Sequence, residues 1–356
     1  MVVISASASW VCGQESTSGG GPIVYKHYFG DTHSHTQYSD GAMYGNAKPN
    51  VPADHFKLAK AIGHDFYAVT DHALAKYPNF TPESFEDTKR QADLATDETF
   101  VGIAGFEFSE NDGPDGRGHM NAYNTTSYLD ATGPDIGIKT FYNWLEKDQT
   151  TTVVASFNHP STGSYNSFAY LTPARRDLVT MFEVVNGGRA NYKTFLAALN
   201  HGWRVAPIAA TDTHGLWRID HHFYRTGVLA PKLTRDEILK AMQDRRVYAT
   251  FDQNLRLTVW ANDRIMGSVL AGKDIDQLKF IIEATDSDEA NTGDRITKIE
   301  LVGKNGDVLA AKDFDAHSAS WTPTVKADQP YYFALVYAAD KTDGPTAYSA
   351  PVWLEK

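Results

Sequence analysis

Two histidines, His33 and His35, stand two residues apart, and the carboxylate of Asp40 follows five residues after the second. Residues two apart on an extended strand point to the same face, so these imidazoles could hold one metal ion between them. The serine and glycine beside Asp40 indicate a turn that would fold its carboxylate back over the pair. By itself a His-x-His pair is more often exposed or structurally bonded than metal-binding, so the interpretation depends on the rest of the chain.

Further candidate ligands fall at the ends of predicted strands. From Ile23 onward, short apolar runs alternate with helical patterns, which predicts parallel strands connected by helices. Six of the 13 histidines and three carboxylates lie within a residue or two of the carboxyl end of such a run, the face that carries the chemistry in α/β barrels. Burying so many ionisable groups together would be costly unless metal ions paired them. The set comprises His33, His35, His72, His119, His159, His214, Asp40, Glu107 and Asp212.

Mixed imidazole and carboxylate ligands favour Zn, Mn or Fe over Mg or Ca alone. Two such ions held close together can share a bridging hydroxide and clamp the attacking and leaving oxygens of a displacement. The single cysteine, Cys12, excludes an internal disulfide and a Cys-rich zinc site. The sequence has no Gly-x-Ser-x-Gly elbow and no His-Glu-x-x-His helix, so serine-hydrolase and zincin chemistry have little support.

Length and charge limit the remaining possibilities. A chain of 356 residues allows two domains at roughly 100–200 residues each. The net charge of −11 and the lack of a basic run argue against a nucleic-acid partner. No stretch approaches the ~18–20 apolar residues of a membrane span. The oligomeric state stays open.

The chain divides into three predicted parts. Residues 1–22 are rich in Ser and Ala, end in a Gly run and resemble a flexible leader. Residues 23–251 are predicted to form the α/β unit. Residues 252–356 are predicted to form a small antiparallel β-sandwich, because short alternating runs follow one another there between turn signals. The leader lacks an intact signal-peptide pattern, although a trimmed one is possible, and Cys12 loosely resembles a lipoprotein attachment site. An exported location, periplasmic or lipoprotein-anchored, is favoured over a cytoplasmic one.

The ligand series resembles the polymerase and histidinol phosphatase (PHP) superfamily of metallohydrolases over about residues 27–250. The matching motifs are Asp31-x-His33-x-His35, Ser39-Asp40-Gly41, Thr70-Asp71-His72, Gly105-x-Glu107, His119, His159-Pro160 and Asp212-x-His214. The resemblance implies a distorted (β/α)7 barrel with two or three divalent ions at its open end. His33, His35, Glu107 and Asp212 would bind the first ion; Glu107 would bridge to a second ion held by His119 and His159; Asp40, His72 and His214 would hold the third.

A barrel followed by a β-sandwich resembles the carbaryl-hydrolase-like branch of that superfamily. The resemblance implies a metal-dependent hydrolase that acts on a small-molecule ester substrate, with Glu107, Asp212 and His72 as the residues that carry the catalytic step. Phosphoester hydrolysis is the preferred interpretation, and Arg189, Arg225 and His222 are the candidate substrate contacts, because phosphate needs cationic partners.

Two alternatives stay open. A carbamate, carboxyl-ester or amide hydrolase could use the same metal centre, since aromatic residues near the predicted barrel mouth offer a neutral pocket: Tyr165, Phe168, Trp217 and Phe223. A non-catalytic binding module with structural metals is the second alternative, although an open multi-ligand centre is poorly explained by structure alone.

Overall fold

The computed structural model describes residues 23–43, 50–110, 113–147, 152–216, 219 and 224–356. The predicted leader, Cys12 and His222 therefore lie outside the described residues. Within the described part of the chain, no helix is both long and apolar enough to cross a membrane.

Among the described residues, the first part of the chain has seven helical segments. They are α1 (Pro52–Ala61), α2 (Pro82–Ala95), α3 (Ile138–Leu145), α4 (Ser164–Phe168), α5 (Pro173–Leu178), α6 (Tyr192–His201) and α7 (Arg235–Gln243). The segment α4 is a left-handed turn, because Tyr165, Asn166 and Ser167 have φ angles of 56°, 49° and 56°. Pro occupies the first turn of α1, α2 and α5, where its missing N–H costs nothing. The side chains of Thr81, Thr172 and Thr234 accept a backbone N–H bond at the starts of α2, α5 and α7.

The described residues of the same part of the chain also form twelve strands. They are β1 (Lys26–Asp31), β2 (Ser34–His35), β3 (Phe66–Val69), β4 (Val101–Glu110), β5 (Gly118–Tyr123), β6 (Val154–Asn158), β7 (Val179–Asn186), β8 (Arg189–Ala190), β9 (Ala206–Ala210), β10 (Thr213–His214), β11 (Arg225–Ala230) and β12 (Val247–Thr250). The strands β1, β3 and β4 run parallel, as do β6, β7 and β9. The prediction of a mixed α/β fold with parallel strands is confirmed.

Antiparallel pairing interrupts the predicted alternation of strand and helix. Strand β5 pairs antiparallel with both β4 and β6, and β11 pairs antiparallel with β1 and β12. The connection between Glu110 and Gly118 is too short for the crossover that parallel neighbours require. Strand β9 lies beside β11, where the Thr226 hydroxyl donates to Ala209 O (2.8 Å) and accepts from Ala209 N (3.0 Å).

The last part of the chain consists mainly of strands. They are β13 (Arg256–Ala261), β14 (Arg264–Ile265), β15 (Val269–Ala271), β16 (Gln277–Thr285), β17 (Ile296–Val302), β18 (Val308–Ala316), β19 (Ser318–Trp321), β20 (Thr324–Lys326), β21 (Tyr331–Ala338), β22 (Ala347–Ser349) and β23 (Val352–Glu355). Alternating burial along β16 shows that one face of the strand is covered, and the covered residues share a core with those of β13, β17 and β21.

The two parts of the chain share hydrogen-bonded strands. Strand β22 pairs antiparallel with β12 on one side and with β21 on the other, with Tyr248 opposite Ser349. At the junction itself, Phe251 N donates to Thr346 O (2.7 Å). One sheet therefore runs from the parallel strands into the C-terminal strands without a flexible linker.

Candidate metal centre

The nine predicted ligands meet at one end of the parallel strands. His33 lies two residues after β1, Glu107 lies near the end of β4, and His159 directly follows β6. Short strands β2 and β10 pair in parallel and set His35 opposite His214. All nine side chains belong to one connected set of contacts, which the following distances describe. The sequence therefore identified which side chains the fold brings together; their roles as ligands stay a prediction.

Glu107 stands at the centre of the set with a fully buried side chain. Its Oε1 lies 3.3 Å from His33 Nε2, 3.3 Å from His119 Nδ1 and 3.2 Å from His159 Nε2. Its Oε2 lies 2.6 Å from His72 Nδ1. One carboxylate thus faces four imidazoles through its two oxygens, as a bridging ligand between metal ions would.

Asp212 closes the set on the side of the first two histidines. Its Oδ1 lies 3.1 Å from His35 Nε2 and 3.4 Å from His33 Nε2, and its Oδ2 lies 4.0 Å from His159 Nε2. The two Nε2 atoms of His33 and His35 are 3.0 Å apart. Two imidazole nitrogens and a carboxylate oxygen therefore point at a common position.

A second grouping involves Asp40. Its Oδ1 lies 3.4 Å from His214 Nε2, and its Oδ2 lies 3.6 Å from His72 Nε2. The His35 ring packs against those of His72 and His214, at centroid distances of 4.2 Å and 4.4 Å. These four residues offer ligand atoms within 4.8 Å of one another.

Contacts around the ligands fix the orientation of individual imidazoles. His33 Nδ1 lies 2.7 Å from Glu183 Oε1, and His214 Nδ1 lies 2.9 Å from Asp212 O. An imidazole that donates through Nδ1 to a carboxylate or a carbonyl presents the lone pair of its Nε2 to a metal. Sequence reasoning missed Glu183, although a lone carboxylate inside the apolar strand Val179–Asn186 was a detectable signal.

The backbone is constrained at the same place. His159 and Asp212 have φ angles of 29° and 52°, in the region that residues other than glycine rarely adopt. The loop that carries Asp40 is fixed by Asp71, which accepts hydrogen bonds from Thr36 N (2.7 Å) and from the Ser39 hydroxyl (2.6 Å). A side chain at Gly41 would bring its Cβ within 2.1 Å of the His35 carbonyl oxygen, so this turn requires glycine.

The buried charges shift one another's protonation. Burial disfavours protonated His33, but Asp212, Glu107 and Glu183 outweigh it and raise the pKa of His33 well above its ordinary value. Burial together with the neighbouring imidazoles of His72 and His214 lowers the pKa of His35 to about 3. Burial also opposes ionisation of Glu107, yet the surrounding histidines hold the pKa of its carboxyl well below the usual range.

The residues fit divalent metal ions. His35 Nδ1 is buried without a hydrogen-bond partner and lies 4.0 Å from Asp40 Oδ1. Imidazole nitrogens that face other imidazole nitrogens and carboxylate oxygens at these distances would be poorly satisfied as hydrogen bonds alone. A divalent cation would satisfy them together, and the mixed nitrogen and oxygen donors suit Zn, Mn or Fe.

The candidate substrate contacts have different environments. Arg189 is exposed in β8 and lines a cavity of about 640 Å³ that also includes His159. Arg225 is only 4% exposed and donates from Nη1 to Tyr224 O (3.0 Å), so a substrate could reach it only if its neighbours moved. Two of the four aromatic residues expected to form a neutral pocket, Tyr165 and Phe168, are instead buried in the core. The other two, Trp217 and Phe223, lie outside the described residues.

Comparison with known proteins finds similar solved structures but no similar sequence family. No protein-family model and no curated protein matches this sequence. A two-domain protein from Bacteroides vulgatus, described as containing a predicted PHP-like metal-dependent phosphoesterase, matches with a TM-score of 0.51 at 18% identity, over 98% of this chain and 100% of that chain. The two chains therefore share a fold over nearly their whole lengths.

Other solved structures match less of the chain. PsfC from Pseudomonas syringae has a TM-score of 0.42 at 16% identity, over 62% of this chain and 90% of its own. An amidohydrolase from Chromobacterium violaceum, with bound sulfate and no metal, has a TM-score of 0.32 at 14% identity, over 61% of this chain and 96% of its own.

Proposed function

We propose that this protein is a metal-dependent hydrolase of the PHP superfamily that cleaves phosphoesters. The observation that carries the proposal is the convergence of four imidazoles on the two oxygens of the buried Glu107 carboxylate. Such a centre suits two or more divalent ions that share one carboxylate. The finer architecture that we propose is a distorted (β/α)7 barrel over residues 23–251 and a β-sandwich over residues 252–356.

The contacts support the ligand assignment that the resemblance implies. His33, His35, Glu107 and Asp212 would hold one ion, Glu107 would bridge to an ion held by His119 and His159, and Asp40, His72 and His214 would hold a third. When bound, these ions would activate water for attack and stabilise the negative charge that develops on the leaving oxygen.

Protein side chains would orient the ligands and transfer protons. Glu183 would hold His33 in the required orientation through its contact with Nδ1. The Asp212 side chain is 22% exposed, whereas those of Asp40 and Glu107 are 3% and 0% exposed. Asp212 is therefore the carboxylate of the centre best placed to accept a proton from water and pass it to solvent. His72, which faces both Asp40 and Glu107, would hold the relative positions of these two carboxylates.

The cavity beside His159 supports a phosphoester over a neutral ester. Arg189 and Lys193 line it, and its described lining residues include no Asp or Glu. The carbamate alternative requires an aromatic substrate pocket. Tyr165 and Phe168, two of the four residues proposed to line that pocket, are buried in the core.

A side-by-side assay of metal-loaded protein tests the proposal. We expect hydrolysis of p-nitrophenyl phosphate or bis-p-nitrophenyl phosphate to exceed that of an aryl carbamate. If the carbamate is the best substrate, the neutral-ester function replaces the one proposed here. If none of the three is hydrolysed, a non-catalytic metal-bearing module becomes the better interpretation.

A further inference from the structure

A cavity of about 640 Å³ adjoins the candidate metal centre at His159. Its volume lies within the usual range for ligand sites and exceeds what a single phosphate group would fill. Its described lining residues are His159, Pro160, Ser161, Thr162, Asn186, Arg189, Ala190, Asn191, Tyr192, Lys193 and Thr194. A substrate bound at the metal centre could therefore extend into this space.

The cavity is cationic although the protein carries a net charge of −11. Arg189 and Lys193 contribute two positive charges, and the described lining includes no acidic residue. A third cation lies at its border, because Arg117 Nη2 is 3.5 Å from Ser161 Oγ. Clustered positive charge beside a metal centre favours a ligand with negative charge beyond its reacting group.

The backbone holds these cations in place. Strands β7 and β8 form a hairpin in which Asn186 pairs with Arg189, and the turn between them contains Gly187 and Gly188 with φ angles of 52° and 79°. The start of α6 is tied to the His159 loop because the Thr194 hydroxyl reaches Pro160 O (3.3 Å). Both cationic side chains therefore project from segments that are fixed relative to the metal centre.

The start of α6 adds to the positive field of the cavity. No side chain caps this helix, because the Asn191 amide instead donates to Glu183 O (3.4 Å). Uncapped N–H groups in a first turn attract anions, and the residues of this turn line the cavity.

We propose that this cavity binds a second anionic group of the substrate, a phosphoryl or a carboxyl group. The inference rests on the proposed phosphoester hydrolysis and narrows it to substrates that carry two separated anionic groups. The metal centre would take the phosphoryl group to be cleaved, and Arg189 and Lys193 would bind the second anion through charge-assisted hydrogen bonds.

Kinetics with metal-loaded protein test the selectivity. We expect kcat/KM for a hexose bisphosphate or a phosphoglycerate to exceed that for p-nitrophenyl phosphate by about tenfold or more. The double variant Arg189→Ala with Lys193→Ala should lose at least about tenfold more kcat/KM on the two-anion substrates than on p-nitrophenyl phosphate, mainly through KM. Comparing the bisphosphate with the phosphoglycerate distinguishes a phosphoryl from a carboxyl preference.

Two controls accompany the double variant. Lys193→Arg keeps the charge and should retain the selectivity. Arg264→Ala removes an exposed cation from β14 and should leave both substrates unaffected. Equal losses on one-anion and two-anion substrates, or no wild-type preference, would overturn the proposal.

A binding measurement separates this inference from the catalytic one. Titration of metal-loaded protein with propane-1,3-bisphosphonate and with propylphosphonate requires no turnover. We expect the bisphosphonate to bind more tightly than the monophosphonate. In the double variant, the ratio of the two dissociation constants should shrink by about tenfold. If this holds while no ester is hydrolysed, the cavity assignment stands and the proposed function fails. Equal binding of both ligands to wild-type protein overturns the cavity assignment whatever the activity.

Discussion

Glu107 is buried where a carboxylate could not remain ionised without compensation. Its side chain is inaccessible to solvent and its two oxygens contact imidazole nitrogens on several sides. Neighbouring positive charge is what keeps such a group ionised, and metal ions would supply more of it than protonated histidines can. Glu107 is accordingly the residue on which the metal assignment depends most.

Replacing Glu107 by Gln should lower bound metal and activity together while the fold persists. A neutral amide has nearly the same shape as the carboxylate but cannot bridge two cations. We expect activity to fall by about 100-fold or more. Metal analysis and circular dichroism of the purified variant check this, with Glu237→Gln in the first turn of α7 as the control. Unchanged metal stoichiometry would remove Glu107 from the ligands.

Sequence spacing could identify the candidate ligands because each lies close to the end of a predicted strand. The lone carboxylate of Glu183 in an apolar strand is visible in the sequence, but its contact with His33 is not, because the two residues are 150 positions apart in the chain. The sequence also could not reveal that Arg225 is buried next to Tyr224 O, since a basic residue in a predicted loop is more often exposed.

At the scale of elements, the junction between β12 and β22 is the feature that joins the two parts of the chain. Tyr248, which is fully buried, lies in β12 opposite Ser349, and Tyr331 of β21 donates its hydroxyl to Asn200 Oδ1 of α6 (2.8 Å). An interface made from paired strands and buried side chains stabilises both partners.

A chain truncated after Thr250 should therefore lose solubility. Removal of β22 would leave β12 as an open sheet edge and expose apolar residues beneath it, and open edges promote aggregation. The soluble fraction and the size-exclusion profile, compared with those of the full chain, measure the effect. A monomeric truncated chain with full metal content and activity would show that the C-terminal strands are an independent appendage.

The sequence predicted the order of strands and helices better than their pairing. The alternation is visible in the sequence because helix signals are local, such as the Pro in the first turn of α1 and α2 and the Thr234 cap of α7. The antiparallel insertion of β5 depends on the short connection after Glu110 and on partners distant in the chain. Periodicity carries no information about either.

At the scale of the whole molecule, acid should weaken the contact between the two parts of the chain. His27 Nδ1 lies 3.1 Å from Tyr248 Oη, and its Nε2 lies 3.3 Å from Thr258 Oγ1. Burial, with a smaller effect of Arg256, lowers the pKa of His27 to about 4. Below the ordinary value of about 6.5 the unfolded chain binds a proton that the folded chain does not.

Stability should consequently fall as the pH drops from about 6.5 to about 4, and His27 alone accounts for up to about 3 kcal/mol of this loss. We expect His27→Gln to reduce the pH dependence of the free energy of unfolding over this range. Part of the pH dependence should remain, because other buried histidines also contribute to it. Urea titrations at several pH values measure the slope, and His201→Gln, at the exposed end of α6, is the control. An unchanged slope in His27→Gln would contradict the prediction.

Removal and return of metal is the most direct test of the proposed function. The purified protein is treated with a chelator, then titrated with Zn, Mn or Fe(II), while bound metal and hydrolysis of p-nitrophenyl phosphate are measured on the same samples. We predict that hydrolysis disappears with the metal and returns in proportion to metal bound, at more than one ion per chain. Metal-free protein that hydrolyses the ester at the original rate would contradict the proposed function.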